Sequence, residues 1–85
     1  MTRFRVEFTA AAAKQVTKLD PPVRRRLLAA IEALEGDPRP AVSRKLVGAE
    51  TAYRLRVGDY RVIYDLIEER ATVAVVRAAH RREVY

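Results

Sequence analysis

Tyr53-Arg54-Leu55-Arg56-Val57-Gly58-Asp59-Tyr60-Arg61-Val62-Ile63-Tyr64 reads as two strands joined by a tight turn. Tyr53, Leu55 and Val57 take one face and Arg54 and Arg56 the other, the period of two of a half-buried strand. Gly58-Asp59 suits a two-residue hairpin, with glycine where a positive φ is needed. Past the turn, Tyr60, Val62, Tyr64 and Leu66 alternate with Arg61, Ile63 and Asp65 to about Ile67. Glu68-Glu69-Arg70 is a polar turn, and residues 71–79, rich in valine, make a third strand of a meander.

Toward the N-terminus, residues 3–8 repeat the pattern, with Phe4, Val6 and Phe8 on one face and Arg3, Arg5 and Glu7 on the other. Thr9 is an N-cap for a helix opened by the alanines 10–13, with Ala12, Val16 and Leu19 on one stripe, ending near Asp20. Asp20-Pro21-Pro22 starts a second helix, because proline is tolerated only in a first turn. Its apolar stripe is Val23, Leu27, Ala30, Ile31 and Leu34, while Arg24, Arg25 and Glu32 are expected to face water. Gly36 is expected at its C-cap, and Pro38 and Pro40 prevent continuation. Residues 37–51 read as an irregular connection, with Leu46 as its apolar anchor and Gly48 at a turn.

The expected fold is therefore α+β, in the order β-α-α-β-β-β. A helix hairpin covers one face of a small, mainly antiparallel twisted sheet. Phe4, Val6, Phe8, Leu55, Val57, Val62 and Tyr64 are expected under the helices.

The 85 residues are expected to form one domain, 1–85. Cysteine is absent, which excludes a disulfide framework and a thiolate metal site. No apolar run approaches the roughly 20 residues of a membrane-crossing helix. MTRFRVEF has a strand pattern without the long apolar stretch of a signal peptide, so the expected location is the cytoplasm. The formal charge is +6, and arginine supplies most of it, since Lys14, Lys18 and Lys45 are the only lysines. Arginine's planar fork suits phosphate, so a polyanion or an acidic protein is the expected partner.

If the helices cover one sheet face, the other carries Arg3, Arg5, Arg54, Arg56 and Arg61, edged by Arg77 and Arg81. Lys45 and Arg82 complete the cationic candidates for phosphate contact. Like charges on neighbouring strands repel, so bound anion favours this arrangement better than folding does. RNA cleavage further requires a proton removed from the 2′-hydroxyl and one delivered to the 5′-oxygen. Arginine, with a pKa above about 12, is a poor proton carrier. The candidates for that task are His80, the only histidine, and the tyrosines, above all Tyr85. The carboxylates Asp65, Glu68 and Glu69 lack a matching histidine set, and no glycine-rich phosphate loop occurs. The expected chemistry needs no metal or other cofactor.

The stretch 53–64 resembles the central motif of the RelE/ParE toxin superfamily, and His80-Arg81-Arg82-Glu83-Val84-Tyr85 resembles the C-terminal motif of its RelE branch. Lys18-Leu19 before the proline pair and Leu46 with Gly48 also match, so the resemblance spans essentially the whole chain. It implies a RelE-like fold akin to microbial ribonucleases. It also implies the toxin of a type II toxin–antitoxin module: an endoribonuclease that cleaves messenger RNA in the ribosomal A site, leaving a 2′,3′-cyclic phosphate. Its implied partners are the ribosome, the messenger and a cognate antitoxin, with operator DNA bound through the antitoxin and no membrane. By resemblance, Arg61 and Arg81 orient and stabilise the scissile phosphate, and Tyr85 activates the nucleophile or stacks on a base. Arg54 and Arg56 stand where well-known members have lysines, which keeps phosphate binding but not a lysine-type base. Tyr85 closes the chain where many members continue. Two other readings share the central motif: a ParE-like inhibitor of DNA gyrase that cuts no RNA, and a plain module binding an acidic antitoxin.

Overall fold

A computed structural model describes residues 3–80 and 82. The elements are Arg5–Phe8 (β1), Ala10–Thr17 (α1), Pro21–Ala33 (α2), Ser43–Lys45 (β2), Ala52–Val57 (β3), Tyr60–Ile67 (β4) and Thr72–His80 (β5), with a 3-10 turn at Glu68–Arg70. The strands form one sheet in the order β1-β5-β4-β3-β2. β1 runs parallel to β5, and the other pairs are antiparallel. The α+β order and the mainly antiparallel sheet agree with the pattern of periods.

Local chemistry sets the boundaries. Thr9 caps α1, its Oγ1 accepting from the Ala12 N–H at 3.1 Å. α1 stops at Thr17, earlier than the periodicity suggests, and the Asp20-Pro21-Pro22 step starts α2. α2 does not close on a left-handed glycine. Instead the N–H groups of Leu34, Glu35 and Gly36 turn back onto the carbonyls of Ile31, Glu32 and Ala33. Arg24 does not simply face water: its Nη1 donates to the carbonyls of Thr17 and Leu19, bracing the turn between the helices. Gly58 has φ +59 in the hairpin turn, where Val57 pairs with Tyr60.

The core lies between the helices and one sheet face. Ala12, Val16, Leu27, Ile31 and Leu34 meet Leu55, Val62, Tyr64, Leu66, Val73, Val75 and Ala78, all buried. Phe8 is the exception among the expected core residues: at the end of edge strand β1 it is 37% exposed. The connection 37–51, expected to be irregular, contains the edge strand β2, paired with β3 as Ser43↔Leu55, Arg44↔Arg54 and Lys45↔Tyr53. It is pinned to the sheet by Tyr64, whose hydroxyl donates to the Pro38 carbonyl at 2.7 Å. Tyr64 also stacks on Tyr53, with ring centroids 5.7 Å apart. Arg39 lies over the Tyr53 ring, donates from Nε to the Tyr53 hydroxyl at 3.1 Å and pairs with Glu68.

β1 pairs only with the first half of β5, from Thr72 to Val75. Beyond that point side chains meet the outer edge of β5. The Ala78 N–H donates to Gln15 Oε1 at 2.8 Å, and Thr9 Oγ1 donates to the Val76 carbonyl at 3.4 Å. The register between β4 and β5 also shifts here: Ile63 faces Arg77 while Tyr64 faces Val75, so Val76 is an extra, bulged residue.

Candidate functional site

Residues directly opposite in a sheet share a face. On the face turned away from α1 and α2, Arg56 on β3 therefore stands beside Arg61 and Ala79, and the next row is Arg44, Arg54, Ile63 and Arg77. Five arginines from four strands thus occupy one end of the sheet. Arg61 is the most enclosed, with 8% of its surface exposed and its Nε and Nη1 removed from solvent. An open groove of about 460 Å³ runs alongside, lined by Ala41, Val42, Arg44, Arg54, Arg56 and Gly58. The Arg26 guanidinium of α2 reaches the hairpin tip, with its Nη2 3.2 Å from where a Cβ on Gly58 would lie.

The bulge at Val76 determines which β5 residues join this site. In an unbroken strand Arg77 would share a face with Val73 and Val75, in the core, and His80 would point to the arginine face. The extra residue inverts both. Arg77 is exposed beside Ile63, and His80 pairs with Tyr60 on the helix side, ring edge to ring face at 5.3 Å. His80 there lines a second cavity, of about 320 Å³, with Gln15, Lys18, Leu19 and Tyr60. A proton-transfer role for His80 at the arginine face is at odds with this position.

Other expected members are also set apart. Arg5 pairs in register with Thr72, at the far end of β5 from Arg77 and three strands from β3 when β1 is counted. At about 4.8 Å per strand and 3.3 Å per residue, that is roughly 20 Å from Arg54. Its Nη1 lies 3.7 Å from Glu7, and Arg3 pairs with Glu35 at 3.0 Å. Glu7 and Asp65 share the middle rows of the same face, so carboxylates separate Arg5 from the cluster. Lys45 pairs with Tyr53 and so lies on the helix-side face, the opposite one from Arg54. Arg82 is exposed beyond β5, its backbone N–H 3.3 Å from His80 Nδ1. Arg81 and Tyr85 lie outside the described residues.

Arg44 was not among the expected site residues. The signal that identifies it is its pairing with Arg54, which a connection without a recognised strand cannot reveal. The electrostatics of the helix side differ. Burial pushes the Tyr64 phenol above its usual range, and the hydrogen bond from Arg39 to Tyr53 raises Arg39 further from neutrality. Both changes belong to the structural Tyr53–Tyr64 stack. Among the described residues, no three His, Cys, Asp or Glu side chains group so as to hold a metal ion, and no helix is long and apolar enough to cross a membrane.

Residues 6–85 match the family described as the ParE toxin of type II toxin–antitoxin system, parDE. Toxin RelG of Mycobacterium tuberculosis (strain ATCC 25618 / H37Rv) is 33% identical over 90 residues, covering 96% of this chain and 95% of RelG. The archaeal RelE–RelB complex from Pyrococcus horikoshii OT3 contains a chain that superposes with a TM-score of 0.83 at 31% identity, over 98% of this chain and 99% of that one. The isolated E. coli RelE toxin gives a TM-score of 0.82 at 26% identity, over 91% of this chain and 83% of that one.

Proposed function

This chain belongs to the RelE/ParE family of type II toxin–antitoxin toxins, and from that premise we propose that it is an endoribonuclease that cleaves messenger RNA on the ribosome. The observation that carries the reading is the Arg56–Arg61 row: two cations side by side on a rigid hairpin, one of them almost wholly enclosed. An enclosed guanidinium aimed at developing charge is worth more than one in water, and it needs no reorganisation during the reaction.

In the proposed reaction the RNA 2′-oxygen attacks the adjacent phosphorus. The bond from phosphorus to the 5′-oxygen breaks, giving a 2′,3′-cyclic phosphate and a 5′-hydroxyl. Arg61 and Arg56 balance the extra negative charge on the phosphoryl oxygens. Proton removal and delivery fall to Tyr85, since His80 is turned to the other side of the sheet. A tyrosine can take such a role where arginines beside it favour its tyrosinate form.

A cognate antitoxin is the second partner in this reading, supported by the RelE–RelB complex that resembles this chain. An acidic segment laid over the arginine rows would neutralise them and exclude RNA. Operator binding by the complex through the antitoxin, and action in the cytoplasm, belong to the same proposal.

Induced expression followed by primer extension tests the activity. New 5′ ends in translated messages are expected with the natural protein and not with Arg61→Ala at equal soluble level. The match of residues 6–85 to the ParE toxin favours one other reading, inhibition of DNA gyrase by protein contact. Loss of gyrase supercoiling by purified toxin, with messages intact in a translating extract, would replace the first reading by the second.

A further inference from the structure

Arg44 occupies the edge strand, directly opposite Arg54 and one row from Arg56 and Arg61. Its Nη1 donates to the Ala41 and Ser43 carbonyls, at 3.0 Å each, which aims the guanidinium while its body stays exposed. Among the described residues it pairs with no carboxylate. The groove beside it continues past Ala41 and Val42, and Val42 is 62% exposed although apolar. Edge strands commonly carry a cation to discourage pairing with other chains. That role asks nothing of its position along the edge, whereas this one falls in register with the arginine rows.

We propose that Arg44 is a substrate-binding residue that holds the RNA phosphodiester next to the scissile one, extending the site across the edge strand. The inference rests on the reading of this face as an RNA-cleaving surface. With the scissile phosphate at the Arg56–Arg61 row, the neighbouring phosphate lies over the Arg44–Arg54 row, and the base between them rests on Ala41 and Val42. Arg44 touches no reacting atom, so its removal weakens binding and leaves the chemical step.

The test uses message-programmed ribosomes, with natural protein, Arg44→Ala and Arg44→Lys. Arg44→Ala is expected to raise KM about tenfold, the loss of one charge-assisted phosphate contact, with kcat within about twofold. Arg44→Lys recovers part of the loss, and all three proteins share one melting temperature. A message with a neutral methylphosphonate at the flanking position should be cut less well by the natural protein and no worse by Arg44→Ala. Equal KM values for natural protein and Arg44→Ala overturn the proposal. So does a methylphosphonate penalty that both proteins feel alike, which would mean that Arg44 meets ribosomal RNA and not the message.

A second measurement does not require cleavage. Fluorescence anisotropy of a short single-stranded oligoribonucleotide on the purified protein should show weaker binding by Arg44→Ala. The slope of log K against log salt should fall by about 0.7, the value for one phosphate of a single strand. If the natural protein binds the oligonucleotide but cuts no message, the cleavage reading fails while Arg44 is still tested. If Arg44→Ala then binds with unchanged slope, the Arg44 proposal fails separately. Binding of neither substrate by the natural protein overturns both.

Discussion

Arg56 and Arg61 stand opposite each other across the β3–β4 hairpin, on the sheet face turned away from both helices. Two like charges at a directly opposite pair destabilise a sheet. The repulsion is tolerated because the hairpin is held from the other side, where Leu55 and Val62 are buried in the core. Under the proposed function, this row of two cations is where the scissile phosphate binds.

Arg61→Ala is therefore expected to remove activity without unfolding the protein. The loss of cleavage should be on the order of a hundredfold or more, as for other donors aimed at transition-state charge. Arg61→Lys keeps the charge but not the planar fork and should fall between. Primer extension at matched protein level, with circular dichroism as the folding control, measures both. Full activity in the alanine variant would remove Arg61 from the mechanism.

Tyr64→Phe should do the reverse. Its hydroxyl bonds the Pro38 carbonyl on the helix side, away from the arginine rows. Loss of that bond is expected to cost about 1 kcal/mol, and somewhat more if the carbonyl stays dry. Cleavage should persist below the melting range. Urea midpoints report the stability and primer extension the activity.

The same residue gives stability a dependence on alkaline pH. Burial raises the folded-state pKa of Tyr64 above its unfolded value. The neutral phenol is thus favoured by folding. Its contribution is complete below the unfolded pKa of about 10, and is lost as pH rises from there through the folded value. Melting temperatures taken between pH 8 and 11 should fall less steeply for Tyr64→Phe than for the natural protein.

Gly58→Ala should be destabilising by about 1 kcal/mol, because φ is +59 there and an L side chain is strained in that region. A Cβ would also sit 3.2 Å from Arg26 Nη2, the far end of a flexible side chain. The backbone term therefore dominates, and adding Arg26→Ala should restore little of the loss. Recovery to the natural denaturation midpoint in the double variant would show that the steric term dominates instead.

Gln15→Ala exposes the outer edge of β5, since Gln15 Oε1 accepts the Ala78 N–H that has no strand partner. A loss of about 1 kcal/mol is expected, together with concentration-dependent self-association through the opened edge. Analytical ultracentrifugation of both proteins should separate them, with the natural chain the less associated.

Much of this was readable from periodicity. A period of two assigned Leu55, Val62 and Tyr64 to the core and Arg54, Arg56 and Arg61 to the far face, and the sheet keeps that division. Thr9, the proline pair and Gly58 mark their boundaries by local backbone chemistry, which needs no tertiary context. β2 is not legible in the sequence because three residues carry too little pattern, and its strand character comes from the partner β3. Phe8 follows the core pattern but lies where an edge strand runs out of cover.

Periodicity by itself thus determined the two faces, the helix hairpin and the cationic character of one face, because each depends on neighbours within a few residues. Tertiary structure alone decided which cations meet. The strand order takes Arg3 and Arg5 to the other edge, where Glu35 and Glu7 lie beside them. Pairing with β3 brings in Arg44. One bulged residue, Val76, turns Arg77 toward the arginine face and His80 away from it. Strand order and register come from pairings between distant segments, and a shift of one residue exchanges the two faces of everything beyond it.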